Sequence, residues 1–232
     1  MFDPSNKYRH EYKYIISSAQ LPLLINRVNG FMKLDSHAGE QGIYNIRSMY
    51  FDNYDNACFY ENENGIDPRE KFRIRIYNHS DNRISLECKQ KSHDKTLKSS
   101  VLISRELTEM LTAQSTISIE TSQPALLKKL ILKAKSEQMK PKIIVEYERI
   151  PYIYKQGNVR VTFDTNISSS SAINEFFKEN IPKRPIMPVG YHLMEVKFDE
   201  FLPDFIYQSL NLGQLQRTAY SKYYLSRKYP LY

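Results

Sequence analysis

Lysines and arginines fall at every second position in several short stretches of the chain, and that spacing can do chemistry. In KFRIRIY (71–77), Lys71, Arg73 and Arg75 alternate with Phe72, Ile74 and Ile76. As a strand, the stretch puts three cations on one face and three apolar side chains on the other. Cations lined up in this way need either water or an anion in front of them. The pattern recurs where Glu11 and Lys13 interleave with Tyr12, Tyr14 and Ile16, and where Glu87, Lys89 and Lys91 interleave with Leu86 and Cys88. It recurs again with Arg160, Thr162 and Asp164 among Val159, Val161 and Phe163, and with Glu195 and Lys197 among Met194, Val196 and Phe198. Tyr147 and Arg149 also share a face. The wet face of an antiparallel sheet explains any one such strand. The whole set, with arginine preferred at several positions, points to an anion, because the planar guanidinium fork binds phosphate oxygens in pairs. Carboxylates among the cations could hold a divalent metal that bridges phosphate oxygens.

Other chemistries lack their signatures. The glycines form neither Gly-x-Gly-x-x-Gly nor a Walker loop, so no glycine-rich cradle for phosphate is expected. There is no Gly-x-Ser-x-Gly elbow, and the histidines at 10, 37, 79, 93 and 192 show no metal-binding spacing. Cys58 and Cys88 make neither a disulfide framework nor a zinc motif. The formal charge of +7 is spread over 33 basic and 26 acidic residues, so local clusters matter more than a basic tail. The opening MFDPSNKYRHEYKY is polar, which reads as neither signal peptide nor anchor, and no apolar run is long enough to span a membrane. The expected location is cytoplasmic.

These side chains need strands to carry them. Strands are expected at 9–17, 44–52, 71–77, 83–91, 97–104, 142–154, 158–165 and 191–198, with hairpin loops at 78–82 and 155–158. In the first hairpin, placing Phe72, Ile74 and Ile76 opposite Cys88, Leu86 and Ile84 also sets Arg73 opposite Glu87, so both faces agree. Helices are expected from a Ser17 or Ser18 cap through Met32, from Pro124 to Met139, after Pro203, and over 217–229, with shorter ones near 104–113 and 170–178. The fold class predicted is α+β. Eight antiparallel strands close a barrel, helices cover its apolar outside, and the charged faces line a tunnel. One domain over 1–232 is the simplest organisation, since no linker or repeat interrupts the chain.

The motifs resemble the VTC domain, the polyphosphate polymerase of the vacuolar transporter chaperone type, a branch of the triphosphate tunnel metalloenzymes. The matching pieces run in order: RHEYKY (9–14), IRSMYFDN (46–53), KFRIRIY (71–77), LECKQK (86–91), EYER (146–149), VRVTFD (159–164), MEVKFD (194–199) and SKY (221–223). The resemblance implies that Lys13, Arg73, Arg75, Lys89, Arg149 and Arg160 line the tunnel and serve catalysis, together with Lys222. Arg47 and Lys98 would be further phosphate contacts, with Lys95 close enough to compete for the role of Lys98. Lys71, Lys91, Tyr147, Lys197 and Ser221 complete the substrate-binding set, Ser221 and Lys222 closing one mouth from the last helix. Glu195 would hold the catalytic metal, Mn²⁺ or Mg²⁺, with help from Glu11 or Glu87.

One departure bears on the reaction. Many tunnel enzymes begin with Glu-x-Glu-x-Lys, whereas here Arg9 stands where the first acid would be, followed by His10-Glu11-Tyr12-Lys13. This argues against a CYTH-type triphosphatase or adenylate cyclase and for the polymerase branch. The expected activity is transfer of the γ-phosphoryl group of ATP, or another nucleoside triphosphate, to inorganic phosphate or a growing polyphosphate chain. The alternatives are a triphosphatase or polyphosphatase in the same tunnel, and a non-catalytic module that binds polyphosphate or nucleotide. Nucleic acid is not an expected ligand, because the cations are spread over many strands in matching phase rather than gathered on one surface. The resemblance leaves room for a membrane-protein partner.

Overall fold

Alternation fixes the strands, and the strands close on themselves. In the computed structural model, which describes residues 9–93 and 95–228, ten strands and six helices follow one another. Outside the described residues lie positions 1–8 of the polar N-terminal stretch, Asp94 of the 92–96 loop, and Tyr229, the expected end of the last helix. The strands are β1 (Arg9–Ser17), β2 (Lys33–Leu34), β3 (Tyr44–Asp52), β4 (Arg69–Tyr77), β5 (Ser80–Ser92), β6 (Lys95–Ile103), β7 (Lys140–Tyr154), β8 (Val159–Ser170), β9 (Arg184–Pro185) and β10 (Tyr191–Phe198). The helices are α1 (Gln20–Asn29), α2 (Ala57–Glu63), α3 (Arg105–Thr112), α4 (Ala125–Ser136), α5 (Asp204–Ser209) and α6 (Lys222–Lys228).

Eight strands pair antiparallel in the order β7-β3-β4-β5-β6-β1-β10-β8, and β8 returns to β7 to close the barrel. The short β2 and β9 hang on β7 and β8. The expected register holds where Phe72, Arg73 and Ile74 face Cys88, Glu87 and Leu86. It slips beyond Arg75, and Tyr77 pairs with Ser80, so Ile76 and Ile84 are not opposed. The cause is a tighter turn than expected: Asn78 and His79 both take positive φ, as a two-residue hairpin loop requires.

Apolar faces point outward and are covered by helices. Phe72, Ile74, Ile76 and Leu86 pack with Leu111 of α3 and with Leu127, Leu130 and Ile131 of α4. On the other side Tyr14, Ile16, Val161, Phe163, Met194 and Val196 pack with Leu24 and Val28 of α1 and Ile206 of α5. A third cluster, which includes Tyr50, Val145, Tyr147, Leu193, Tyr220 and Tyr223, joins α6 to the barrel. Among the described residues no helix is long and apolar enough to cross a membrane.

Three helical expectations need correction. Residues 217–221 are not helical, because they run beside β1: Arg217 bridges Tyr14 and the Thr218 N–H donates to the Lys13 carbonyl at 2.9 Å. Over 170–178 the chain first completes β8 and then makes only a 3-10 turn at Ile173–Glu175. The cap of α1 is Ala19, although the Ser17 hydroxyl still accepts from the Gln20 N–H at 3.2 Å.

Candidate functional site

The polar faces of the strands meet inside the barrel. They line two adjoining cavities of about 460 and 260 Å³ that share Glu11, Arg73, Arg75, Lys89, Thr96, Arg149 and Lys197. Eleven cations and two carboxylates, Glu11 and Glu195, line the larger cavity, an imbalance that a polyanion would neutralise. The smaller one adds Arg9, Lys98 and Arg160.

Carboxylates behind the wall hold the arginines in place. Glu87, 1% exposed, accepts from Arg73 Nε at 2.8 Å and Nη2 at 2.6 Å, and from Lys98 at 3.0 Å. Asp164, fully buried, takes both arms of the Arg149 fork at 2.6 and 2.7 Å, and Lys222 at 2.6 Å. Such paired contacts set the direction of a guanidinium before any ligand arrives. Lys222 leads α6, and its ammonium also lies 3.3 Å from Glu195 and 4.6 Å over the Tyr147 ring. Ser221 caps the start of that helix by accepting from the Tyr224 N–H at 3.3 Å, and it lies 3.5 Å from the Lys71 ammonium.

Electrostatics sharpen the contrast between acids and bases. Burial pushes Glu11 upward, but Lys89, Lys13 and Lys197 outweigh it and hold the carboxyl well below the usual range. Glu195 behaves likewise: burial is overcome by Lys222, Lys197, Lys13 and Arg149. Two lysines move toward neutrality. Burial, with Arg69 adding, brings Lys71 down to about 8, and burial, only partly offset by Glu11, brings Lys89 down to about 8.

Of the residues expected from the sequence, Lys13, Lys71, Arg73, Arg75, Lys89, Lys91, Tyr147, Arg149, Lys197, Ser221, Lys222, Glu11 and Glu195 line the larger cavity. Arg160 and Lys98 line the smaller one, and Lys95 lines neither. Arg47 is corrected: it is fully buried away from both cavities, on the face of β3 shared with Met49 and Phe51. Its guanidinium donates to Glu146 and to the carbonyls of Phe176, Lys178 and Glu179, so it clamps a loop instead of meeting phosphate. Glu87 is corrected too. It lies behind Arg73, outside the lining of both cavities, with its oxygens facing Arg73 and Lys98 rather than the cavity where a metal would meet substrate.

Among the described residues no three His, Cys, Asp or Glu side chains gather as a metal-binding group. Glu11 and Glu195 fit a divalent ion in another way. Both are ionised hard-oxygen donors on the cavity wall, and Lys197 lies within 3.6 Å of Glu11 and 3.1 Å of Glu195. Magnesium-type ions are commonly held by one or two carboxylates plus substrate phosphates.

Sequence reasoning gave no role to Tyr50, Arg69, Asp164 or Arg217. Asp164 stands in the alternation with Arg160 and Thr162 on the inner face of β8, but spacing gives no sign that it pairs with Arg149 and Lys222. Arg217, stacked 3.7 Å over the Tyr12 ring, gives no local signal.

The VTC domain family matches residues 8–229. Among solved structures, HpAC1 from Hippeastrum, described as an adenylyl cyclase candidate with dominant triphosphatase activity, is 11% identical with a TM-score of 0.57, covering 96% of this chain and 95% of that one. An adenylate cyclase candidate from Bacillus halodurans is 13% identical with a TM-score of 0.53, covering 94% and 95%. At these identities the likeness is one of fold. No curated protein matches the chain.

Proposed function

The chain belongs to the VTC domain family, and from that premise we propose that it is a polyphosphate polymerase, moving the γ-phosphoryl group of ATP onto phosphate or a growing polyphosphate chain. The carrying observation is that the cationic lining continues from one cavity into the next through shared walls. A linear polyanion longer than a triphosphate would stay neutralised along both. In this reading the chain is one tunnel domain.

In the reaction the bond from the γ-phosphorus to the bridging oxygen breaks, and ADP leaves with that oxygen. A new bond forms to a terminal oxygen of the acceptor. A loose phosphoryl transition state needs alignment and charge neutralisation more than a protein nucleophile. Arg73 and Arg149, directed by Glu87 and Asp164, supply donors that need not reorganise when charge develops. Lys13, Lys89, Arg75 and Lys197 hold the phosphoryl oxygens from the surrounding strands, and Lys222 and Ser221 bound the cavity from α6. A divalent ion, Mn²⁺ or Mg²⁺, held by Glu195 and Glu11 with substrate oxygens, would add neutralising charge.

Transfer to water by a triphosphatase is the second reading, favoured by the triphosphatase activity described for HpAC1 on the same fold. Arg9 supports the polymerase, since it pairs with Asp199 at 2.9 Å on the wall of the smaller cavity and offers no carboxylate there. The test follows ADP and acid-stable polyphosphate during ATP turnover with Mn²⁺, in wild type and Glu195→Gln. Polyphosphate growing in step with ADP, and lost in the variant, supports the polymerase. ADP with free phosphate alone moves the assignment to a triphosphatase. Tight triphosphate binding without turnover leaves a binding module.

A further inference from the structure

Tyr50 stands on β3 opposite Arg73 of β4 and lines the larger cavity. The ring is 7% exposed and packs 5.4 Å from the Tyr223 ring, so its direction is fixed. Its phenolic oxygen accepts a hydrogen bond from Arg73 Nη1 at 3.0 Å. A guanidinium has no lone pair to offer in return, so the phenol's own proton cannot go to Arg73. Nor is Asp52 open to it, because its two oxygens already accept from the Asn53, Cys58 and Phe59 N–H groups and from the Tyr223 hydroxyl. The charged side chains that act on the phenol are Arg73 and Arg75 of β4 and Lys222 of α6, all cations. Among the described residues, the phenol's hydrogen bond is the one it accepts from Arg73, and none takes its hydrogen.

We propose that Tyr50 is a substrate-contacting residue, donating its phenolic hydrogen to a phosphoryl oxygen of the bound chain while Arg73 holds the phenolic oxygen. The inference rests on reading the tunnel as a polyphosphate site. It assigns a kind of contact that the lysines and arginines do not make. A neutral donor on a rigid ring adds no positive charge, and it responds to where a phosphoryl oxygen sits. Although burial pushes the phenol up, Arg73, Arg75 and Lys222 outweigh it and pull the hydroxyl below its ordinary range. A more acidic donor makes a stronger bond to an anionic oxygen. The contact also predicts a sign. A bound anion favours the protonated phenol, so ligand must drive its titration upward.

The chain has no tryptophan, which leaves tyrosinate absorbance near 295 nm free of overlap. Wild type and Tyr50→Phe are titrated with and without inorganic tripolyphosphate, and affinity is measured by calorimetry. The expected result is an early-ionising phenol in wild type, absent from the variant and moved to higher pH by tripolyphosphate, with affinity about tenfold or more weaker in the variant. Phenylalanine keeps the ring packing, and the wild-type titration needs no variant. Equal affinities, or an early phase that ligand leaves unmoved, would overturn the role of Tyr50. If wild type itself binds no tripolyphosphate, the tunnel reading falls, and the inference with it.

Discussion

Replacing Arg47 by methionine removes a charge by the logic of the motif and a structural clamp by the logic of the fold, and the two predict opposite outcomes. The side chain is 0% exposed. Besides Glu146, it donates to the Phe176 carbonyl at 2.9 Å, to that of Lys178, and to that of Glu179 at 2.8 Å. In the variant Glu146 keeps Lys183 at 2.5 Å, but three carbonyls lose their donor together. Each orphaned acceptor costs about 1–3 kcal/mol when it stays dry. Some of these regain water, so a total of roughly 3–5 kcal/mol follows, as for other broken buried ion pairs. For a domain of this size each kcal/mol lowers Tm by about 2–4 °C, giving a drop of roughly 6–20 °C. Arg47→Lys should recover little, since an ammonium restores the charge facing Glu146 but not the fork that reaches the carbonyls. The assay pairs thermal unfolding by circular dichroism with tripolyphosphate calorimetry well below both transitions. A Tm within about 2 °C of wild type, or a tenfold loss of affinity in folded protein, would refute the clamp and return Arg47 to the phosphate site.

Asp164→Asn leaves Arg149 and Lys222 buried with only the longer contacts to Glu195, at 3.5 and 3.3 Å, which should cost about 3 kcal/mol. Tripolyphosphate can then take the place of the lost charge, so it should raise the Tm of this variant more than that of wild type; equal increments would count against the network. Because burial brings Lys71 and Lys89 down to about 8, a bound polyanion should raise both and draw protons from solution. Binding near pH 8 should therefore show proton uptake in buffers of differing ionisation enthalpy, and affinity should fall as pH rises beyond that point. Binding with no proton exchange would sink this idea.

Period-two alternation made the barrel wall readable. Strands 9–17, 44–52 and 191–198 begin and end where the pattern says, and the Arg73–Glu87 pairing follows from matching two faces at once. The phosphate role expected of Arg47 came from the resemblance, not from phase, and it failed in a strand that buries both faces. In β3 the inner face carries Tyr44 and Tyr50, so the charge on Arg47 marks the outside, and only a distant loop explains it. Glu87 shows the converse. It sits in the expected strand, but Arg73 and Lys98 draw its oxygens behind the wall, a result of side-chain reach that spacing does not encode. The helix α2 is not legible in the sequence, because ACFYENE has no apolar stripe and only Cys58 in it is buried. Arg69 continues the period-two face of Lys71, Arg73 and Arg75, and Tyr50 shares the face of Tyr44, so the alternation holds both; Arg217 joins the site only through tertiary contacts, which leave no trace in local periodicity.

The ring closes least firmly at one join. β1 meets β6 through two residue pairs, Arg9 with Thr96 and His10 with Lys95, whereas β6 pairs with β5 along its length. The branches of the sheet end in β2 and β9, each two residues long. Extended backbone at a sheet edge recruits strands from other chains. The β1–β6 join is therefore where this ring parts most readily and where a strand-adding partner would enter; elsewhere an associating protein meets side chains on the outer helices, the loops or the cavity mouths.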